Sequence, residues 1–156
     1  MNQPYLRPPR LDELDVLSRL CQRSKAHWGY DAAFMTACET ELTLRQSDLS
    51  TGSVAVAEVN DAPVGVARIT VTSGVADLEL LYVAPEQMGR GIGQSLFDWS
   101  TEAAQAAGAS RMIIEADPNA VNFYLRMGAV AVGYAPSGSI PGRRLPKLQL
   151  NLDAPD

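Results

Sequence analysis

Gly89, Gly91 and Gly93 alternate along the chain and could do chemistry through their backbone. They follow an apolar run from Asp77 to Val83 and a short polar turn, and they open a helical pattern. A strand, a turn and a glycine-rich helix start place several free N–H groups at the positive end of a helix dipole, where an anion is favoured. Glycine there lets the backbone take positive φ and approach a bulky ligand. The first expectation is therefore a phosphate-bearing ligand. A P-loop is excluded because Gly93 leads into Gln94-Ser95, where Gly-Lys-Ser or Gly-Lys-Thr is required. A dinucleotide fingerprint needs G-x-G-x-x-G directly after its strand. Glu115 would suit as the ribose-binding acid, but Gln94 stands at the third glycine site and Pro85-Glu86-Gln87-Met88 intervenes.

Three carboxylates and one histidine are the candidate proton carriers. Strand alternation predicts Asp77, Glu79, Leu81 and Val83 on one face, with Leu78, Leu80 and Tyr82 on the other. Glu115 ends the neighbouring strand and would reach the same cleft. His27, the only histidine, lies where the first helix should stop, beside Trp28 and Tyr30. Cys21 and Cys38 have no metal-like spacing and fall among apolar residues, so they read as buried free thiols, and no metal site is expected.

The elements that must position these groups follow from periodicity. Residues 4–8 suggest a short strand closed by Pro8-Pro9. From Leu11, the residues Leu14, Leu17, Leu20 and Cys21 repeat at three and four, which predicts an amphipathic helix ending near Trp28-Gly29. Asp31 is placed to cap a second helix through Phe34, Met35 and Cys38. Residues 42–52 read as irregular. Strands are expected at 53–59, 64–72 and 75–83, with turns at Asn60-Asp61-Ala62-Pro63 and Ser73-Gly74. The helix from Gly91 carries Ile92, Leu96, Trp99, Ala103 and Ala107 on its apolar face and stops at Gly108. A strand at 111–116, a short helix capped by Asp117-Pro118-Asn119, and strands at 129–134 and 147–152 complete the order. The result is one α+β domain over residues 1–156, with a mixed, largely antiparallel central sheet flanked by helices. The step from 83 to 111 should make two strands parallel through a right-handed crossover.

With the elements in place, two motifs in the right order resemble the GNAT superfamily of acetyl-CoA-dependent N-acetyltransferases. The first is Val83-Ala84-Pro85 followed by Met88-Gly89-Arg90-Gly91-Ile92-Gly93. The second is Ala120-Val121-Asn122-Phe123-Tyr124-Leu125-Arg126-Met127-Gly128. One departure is Met88, where the family carries Gln or Arg; Arg90 is a candidate substitute. The resemblance covers most of the chain and implies an acyl-CoA N-acyltransferase fold, with coenzyme A pyrophosphate held by backbone N–H groups. It assigns acetyl-CoA binding to Leu81, Tyr82, Val83, Met88, Gly89, Arg90, Gly91, Ile92, Gly93, Gln94, Asn119 and Tyr124. The pantetheine arm would lie along Leu81–Val83, in a slot that the family opens by splaying this strand from the next. Tyr124 matches the family's general acid toward the thiolate, and a phenol of pKa about 10 suits a thiolate of about 8.5. Asp77, Glu79 and Glu115 are the candidate bases, with a water relay as the alternative. His27, Trp28 and Tyr30 border the acceptor pocket in similar proteins. Arg143 and Arg144 read as part of a solvated long loop, with steering of an anionic acceptor group or of the cofactor phosphates as the alternative.

These residues imply acetyl transfer to a primary amine by direct attack, because no Cys–His or Ser–His pair presents itself. The acceptor, a small-molecule amine or a protein or peptide amine, stays open. A non-catalytic acyl-CoA-binding sensor of the same fold is the rival. Composition is that of an ordinary globular protein, 46% apolar and 20% charged. A net charge of −5, with two lysines against eleven arginines, argues against nucleic acid and is mildly compatible with a cationic acceptor. No signal-like segment or membrane-length run appears, which makes a cytoplasmic location the expectation. Homodimerisation is left open.

Overall fold

The computed structural model describes residues 4–153. Seven strands form one sheet in the order β1-β2-β3-β4-β5-β7-β6. They are β1 (Tyr5–Arg7), β2 (Ser53–Val59), β3 (Ala62–Thr72), β4 (Val75–Val83), β5 (Arg111–Glu115), β6 (Val130–Pro136) and β7 (Arg144–Asn151). All neighbours are antiparallel except β4 and β5, the parallel pair expected from the crossover. The helices are α1 (Leu14–Ala26), α2 (Ala32–Ala37), α3 (Gln46–Ser50), α4 (Ile92–Ala106) and α5 (Val121–Arg126). The mixed α+β sheet read from the sequence is thus the fold observed.

The first hairpin turn is tighter than expected, and the second falls at Ser73-Gly74 as expected. Asn60 and Asp61 take φ of 52° and 65°, and Ser73 and Gly74 take 51° and 78°. Two successive left-handed residues make the two-residue turn whose twist matches that of paired strands. Ala62 therefore pairs with Val59, and β3 begins two residues before the expected 64.

The sheet buries both faces. On one, Leu17, Leu20 and Cys21 of α1 meet Val56, Val66 and Leu80. Residues 42–52 depart from the irregular reading at both ends. Leu42 and Leu44 are buried in this same cluster, and 46–50 is helical. The anchor is Ser18, whose hydroxyl accepts from Leu44 N at 2.9 Å and donates to Leu14 O at 2.8 Å. On the other face α4 packs through Ile92, Leu96, Phe97, Ser100 and Ala104. That stripe corrects the predicted face: Trp99 and Ala103 are half-buried and Ala107 is exposed. The buried stripe is instead centred on Phe97, Ser100 and Ala104, one position round from the expected series.

A second correction concerns β4. Ile69 pairs with Leu78 and Arg68 with Leu80, so Glu79 is an extra, unpaired residue. Such a bulge resets alternation. Ala76 and Leu78 pack toward α4, and after the bulge Leu81 and Val83 do so as well. Asp77 is therefore left on the face opposite Leu81 and Val83, contrary to the unbroken alternation expected. Near the C-terminus β7 starts at Arg144, three residues before the expected 147, which shortens the preceding loop to 137–143.

Candidate functional site

β4 and β5 pair only from Val75–Arg111 to Asp77–Ile113, although β4 runs on to Val83. Beyond Asp77 the two strands part, and the Glu79 bulge lies just past the last pair. The β4 edge that faced β5 is then free of strand partners over Leu81–Val83. A cavity of about 550 Å³ fills the gap. One wall is Leu81, Tyr82 and Val83; another is the turn from Gln87 to Gln94; a third runs from Asp117 to Met127. The last turn of α1 adds Ser24 and Lys25, with Trp28 just beyond it.

The glycine turn takes the backbone conformation that its spacing implied. Gly89 and Gly91 have φ of 79° and 82°, and a Cβ at either would meet nothing within 4 Å. Their requirement is conformational. Gly93 differs, because a Cβ there would lie 3.4 Å from the Phe123 ring. The first helical bond of α4 runs from Ser95 N to Gly91 O at 3.1 Å, and no side chain caps the helix. The N–H groups of Ile92, Gly93 and Gln94 are therefore open toward the cavity wall that they form. Met88 lines the cavity, whereas exposed Arg90 does not. A cation that does line the cavity is Arg126, in the last turn of α5, which the motif reading passed over. Its signal was present: it sits two residues after Tyr124 in the same motif.

Tyr124 is 6% exposed and lines the cavity. Phe123 meets its ring edge-on at 5.2 Å and Phe97 lies tilted at 5.8 Å, which fixes the phenol's direction. Its hydroxyl bonds no described residue. Burial, with a smaller contribution from the Asp117 charge, pushes the phenol well above its ordinary value. Tyr82 also lines the cavity, and burial pushes its phenol up too.

Beside Tyr124 lies a polar cluster that sequence reading missed. Its hub is Asp117. Oδ2 accepts from the Tyr30 hydroxyl at 2.7 Å and from Lys25 Nζ at 3.4 Å. Oδ1 accepts from Asn119 N and from Asn119 Nδ2, both at 2.9 Å. Arg143 Nη2 donates to the Tyr30 oxygen at 3.0 Å and stands 3.6 Å from Asp117 Oδ2. The Tyr30 ring stacks on Phe34 at 4.0 Å. Burial alone would raise the Asp117 carboxyl; the bonds from Asn119 and Tyr30 and the Lys25 charge outweigh it and hold it below the carboxylate range. Asp117 reads in sequence as a helix cap, and it is one; only long-range folding brings Lys25, Tyr30 and Arg143 to it.

The expected bases are placed elsewhere. Glu79 is exposed and accepts from the Thr70 hydroxyl at 2.8 Å. Glu115 is exposed opposite Lys147, and neither it nor Asp77 lines the cavity. The physical reason is the splay, which carries the free edge of β4 past both strand carboxylates. His27 is exposed, edge-on to Trp28 at 5.3 Å, and outside the cavity wall. Trp28 lines the cavity, and Tyr30 reaches it only through Asp117 and Asn119. Asn119 lines it with both its Nδ2 bonds turned inward to the cluster. The cysteines are buried, and burial pushes Cys21 up to about 12 and Cys38 up to about 11. Thiols so raised are poor nucleophiles. Among the described residues no group of His, Cys, Asp and Glu is arranged to hold a metal, and no helix is long and apolar enough to cross a membrane.

Comparison with known proteins adds an independent finding. The family model of the acetyltransferase (GNAT) domain matches residues 18–136. A GCN5-related N-acetyltransferase structure from Rhodopseudomonas palustris is 25% identical, with 97% of each chain covered and a TM-score of 0.79. The PaiA N-acetyltransferase from Thermoplasma acidophilum, solved with coenzyme A, is similar in fold at 14% identity. The match covers 96% of this chain and 99% of that one, with a TM-score of 0.77. YncA from Salmonella typhimurium, solved with acetyl-CoA, gives 19% identity, 99% coverage of each chain and a TM-score of 0.69. No curated protein sequence matches the chain.

Proposed function

Because the chain belongs to the GNAT acetyltransferase family, we propose that it transfers the acetyl group of acetyl-CoA to a primary amine by direct attack, with Tyr124 as general acid. The observation that carries this is the meeting, in one cavity, of an uncapped helix N-terminus, an unpaired strand edge and a buried phenol. Each suits a different part of the cofactor. The N–H groups from Gly89 to Gln94 would hold its pyrophosphate, with Arg126 adding a positive charge. The edge Leu81–Val83 would pair with the pantetheine amides as a further strand does. When bound, acetyl-CoA supplies the acetyl group as an activated thioester.

The chain's own groups then divide the work. The β4 backbone N–H of Val83, on the edge turned away from β3, donates to the carbonyl oxygen as negative charge grows there. Tyr124 gives its proton to the departing sulfur; its raised pKa keeps that proton in place at neutral pH. No uncommitted carboxylate lines the cavity, since Asp117 is already saturated by its own partners. The proton of the attacking amine therefore leaves through water at the mouth beside Trp28, in place of Asp77, Glu79 or Glu115. A small-molecule amine and a protein or peptide amine are both acceptable classes for the open mouth.

The test is release of free thiol from acetyl-CoA with a panel of primary amines. Amine-dependent release supports transfer. Acetyl-CoA binding with no release for any amine would leave the binding-only sensor.

A further inference from the structure

Lys25 lines the cavity, and the reaction above does not use it. Lys25 is 5% exposed, because it falls one turn after Cys21 on the buried stripe of α1. A buried ammonium needs its three donors satisfied. Its acceptors are Asp117 Oδ2 at 3.4 Å and Glu41 Oε1 at 4.0 Å, both long for a charge-assisted bond of about 2.7–2.9 Å. The rings of Tyr30 and Phe34 stand 5.7 and 5.9 Å from Nζ and give only partial compensation. Asp117, for its part, is taken up by Tyr30 and Asn119 and lies near Arg143. Donors are in surplus at this end of the cavity.

The charge of the wall points the same way. The charged residues lining the cavity are Lys25, Asp117 and Arg126, so the wall is net positive within a chain of net charge −5. Arg126 is accounted for by the cofactor phosphates, and Lys25 is left. It sits at the end where the Asp117 charge is felt by Tyr124, the end at which the acetyl group must be exchanged. We propose that Lys25 binds a carboxylate of the acceptor, so that the amine acetylated belongs to a carboxylate-bearing molecule of the α-amino-acid type. An ammonium whose two carboxylate contacts are both long has donor capacity left for a monoanion, which favours a carboxylate over a phosphate dianion. This inference rests on the acetyl-transfer reading and narrows its acceptor; it replaces the cationic acceptor with which net charge alone is compatible.

Titration calorimetry of product-like probes tests it without turnover. N-acetylglycine, N-acetyl-leucine and N-acetyl-phenylalanine are each compared with their C-terminal amides, with and without coenzyme A. At least one acid should bind about tenfold tighter than its amide, as one charge-assisted bond predicts. Lys25→Met should remove that preference and Lys25→Arg should retain it. Equal binding of acid and amide by the wild type, or an acid preference that survives Lys25→Met, overturns the proposal. Thiol release with the parent amino acids and amino amides gives the parallel kinetic comparison. Absence of thiol release with every amine would refute acetyl transfer, while the acid-over-amide ratio in the titration would still decide the role of Lys25.

Discussion

Tyr124 shows how a single residue becomes poised. Its position in the Phe123-Tyr124 motif was legible in the sequence, but its raised pKa comes from burial between Phe97 and Phe123 and from the Asp117 charge. Tyr124→Phe should lower kcat by about a hundredfold or more, the usual worth of a positioned acid. Acetyl-CoA affinity, measured by calorimetry, should be unchanged. Because the folded pKa is raised, the wild-type kcat should show no alkaline fall from loss of this proton at or below pH 10. Two glycines of one motif should respond oppositely. Gly91→Ala forces a side chain into φ of 82° and should cost about 1–2 kcal/mol while weakening acetyl-CoA binding. Gly93→Ala meets only ordinary contact at 3.4 Å from Phe123 and gains helix propensity, so Tm should hold or rise.

At the scale of elements, the bulge and the splay of β4 make the site, and a buried ion pair holds the sheet's far edge. Arg7 of β1 donates to both oxygens of Glu13, at 2.7 and 3.0 Å, and Nε donates to Glu58 of β2 at 3.3 Å. Glu13 also accepts from Arg10 N at 2.8 Å, just before α1. This joins β1, β2 and the start of α1 at one point. Glu13→Gln removes the charge and leaves Arg7 buried with one remaining carboxylate, a change worth about 3 kcal/mol for a buried pair. The Arg7 bond, opposed by burial and aided by Arg10 N, holds the Glu13 carboxyl below its ordinary value. Its contribution is thus complete above the ordinary carboxylate pKa and disappears as pH falls through the lower folded value. Thermal melts of wild type and Glu13→Gln should differ most near pH 7 and converge in acid.

For the molecule as a whole, ligand binding should report on stability, because the cavity is bounded by α1, β4, α4 and α5 together. At a hundredfold excess over Kd, a ligand specific for the folded state adds about 2.7 kcal/mol. For a chain of this size that corresponds to a rise in Tm of about 5–10 °C. Acetyl-CoA should produce it and NAD should not. A matching shift with NAD would count against the reading of the glycine turn. Asp117 shares the acid-side behaviour of Glu13: its folded pKa is lowered, so the cluster it anchors contributes above the carboxylate range and weakens as pH drops.

What the sequence determined alone was whatever depends on local pattern. Strand order, every helix but α3, the turn glycines, the caps at Asp31 and Asp117, and the two motifs are properties of neighbours within one or two turns. The tertiary structure decided what depends on pairing between distant segments. The Glu79 bulge exists only because Ile69 and Arg68 pair as they do, and it overturned a face assignment drawn from unbroken alternation. The withdrawal of Asp77, Glu79 and Glu115 from the cavity follows from where β4 and β5 part. Lys25, Tyr30, Asp117 and Arg143 come together across up to 118 positions of chain, in a cluster no spacing announces. Periodicity tells which side of a helix is buried; only packing tells which charge waits there.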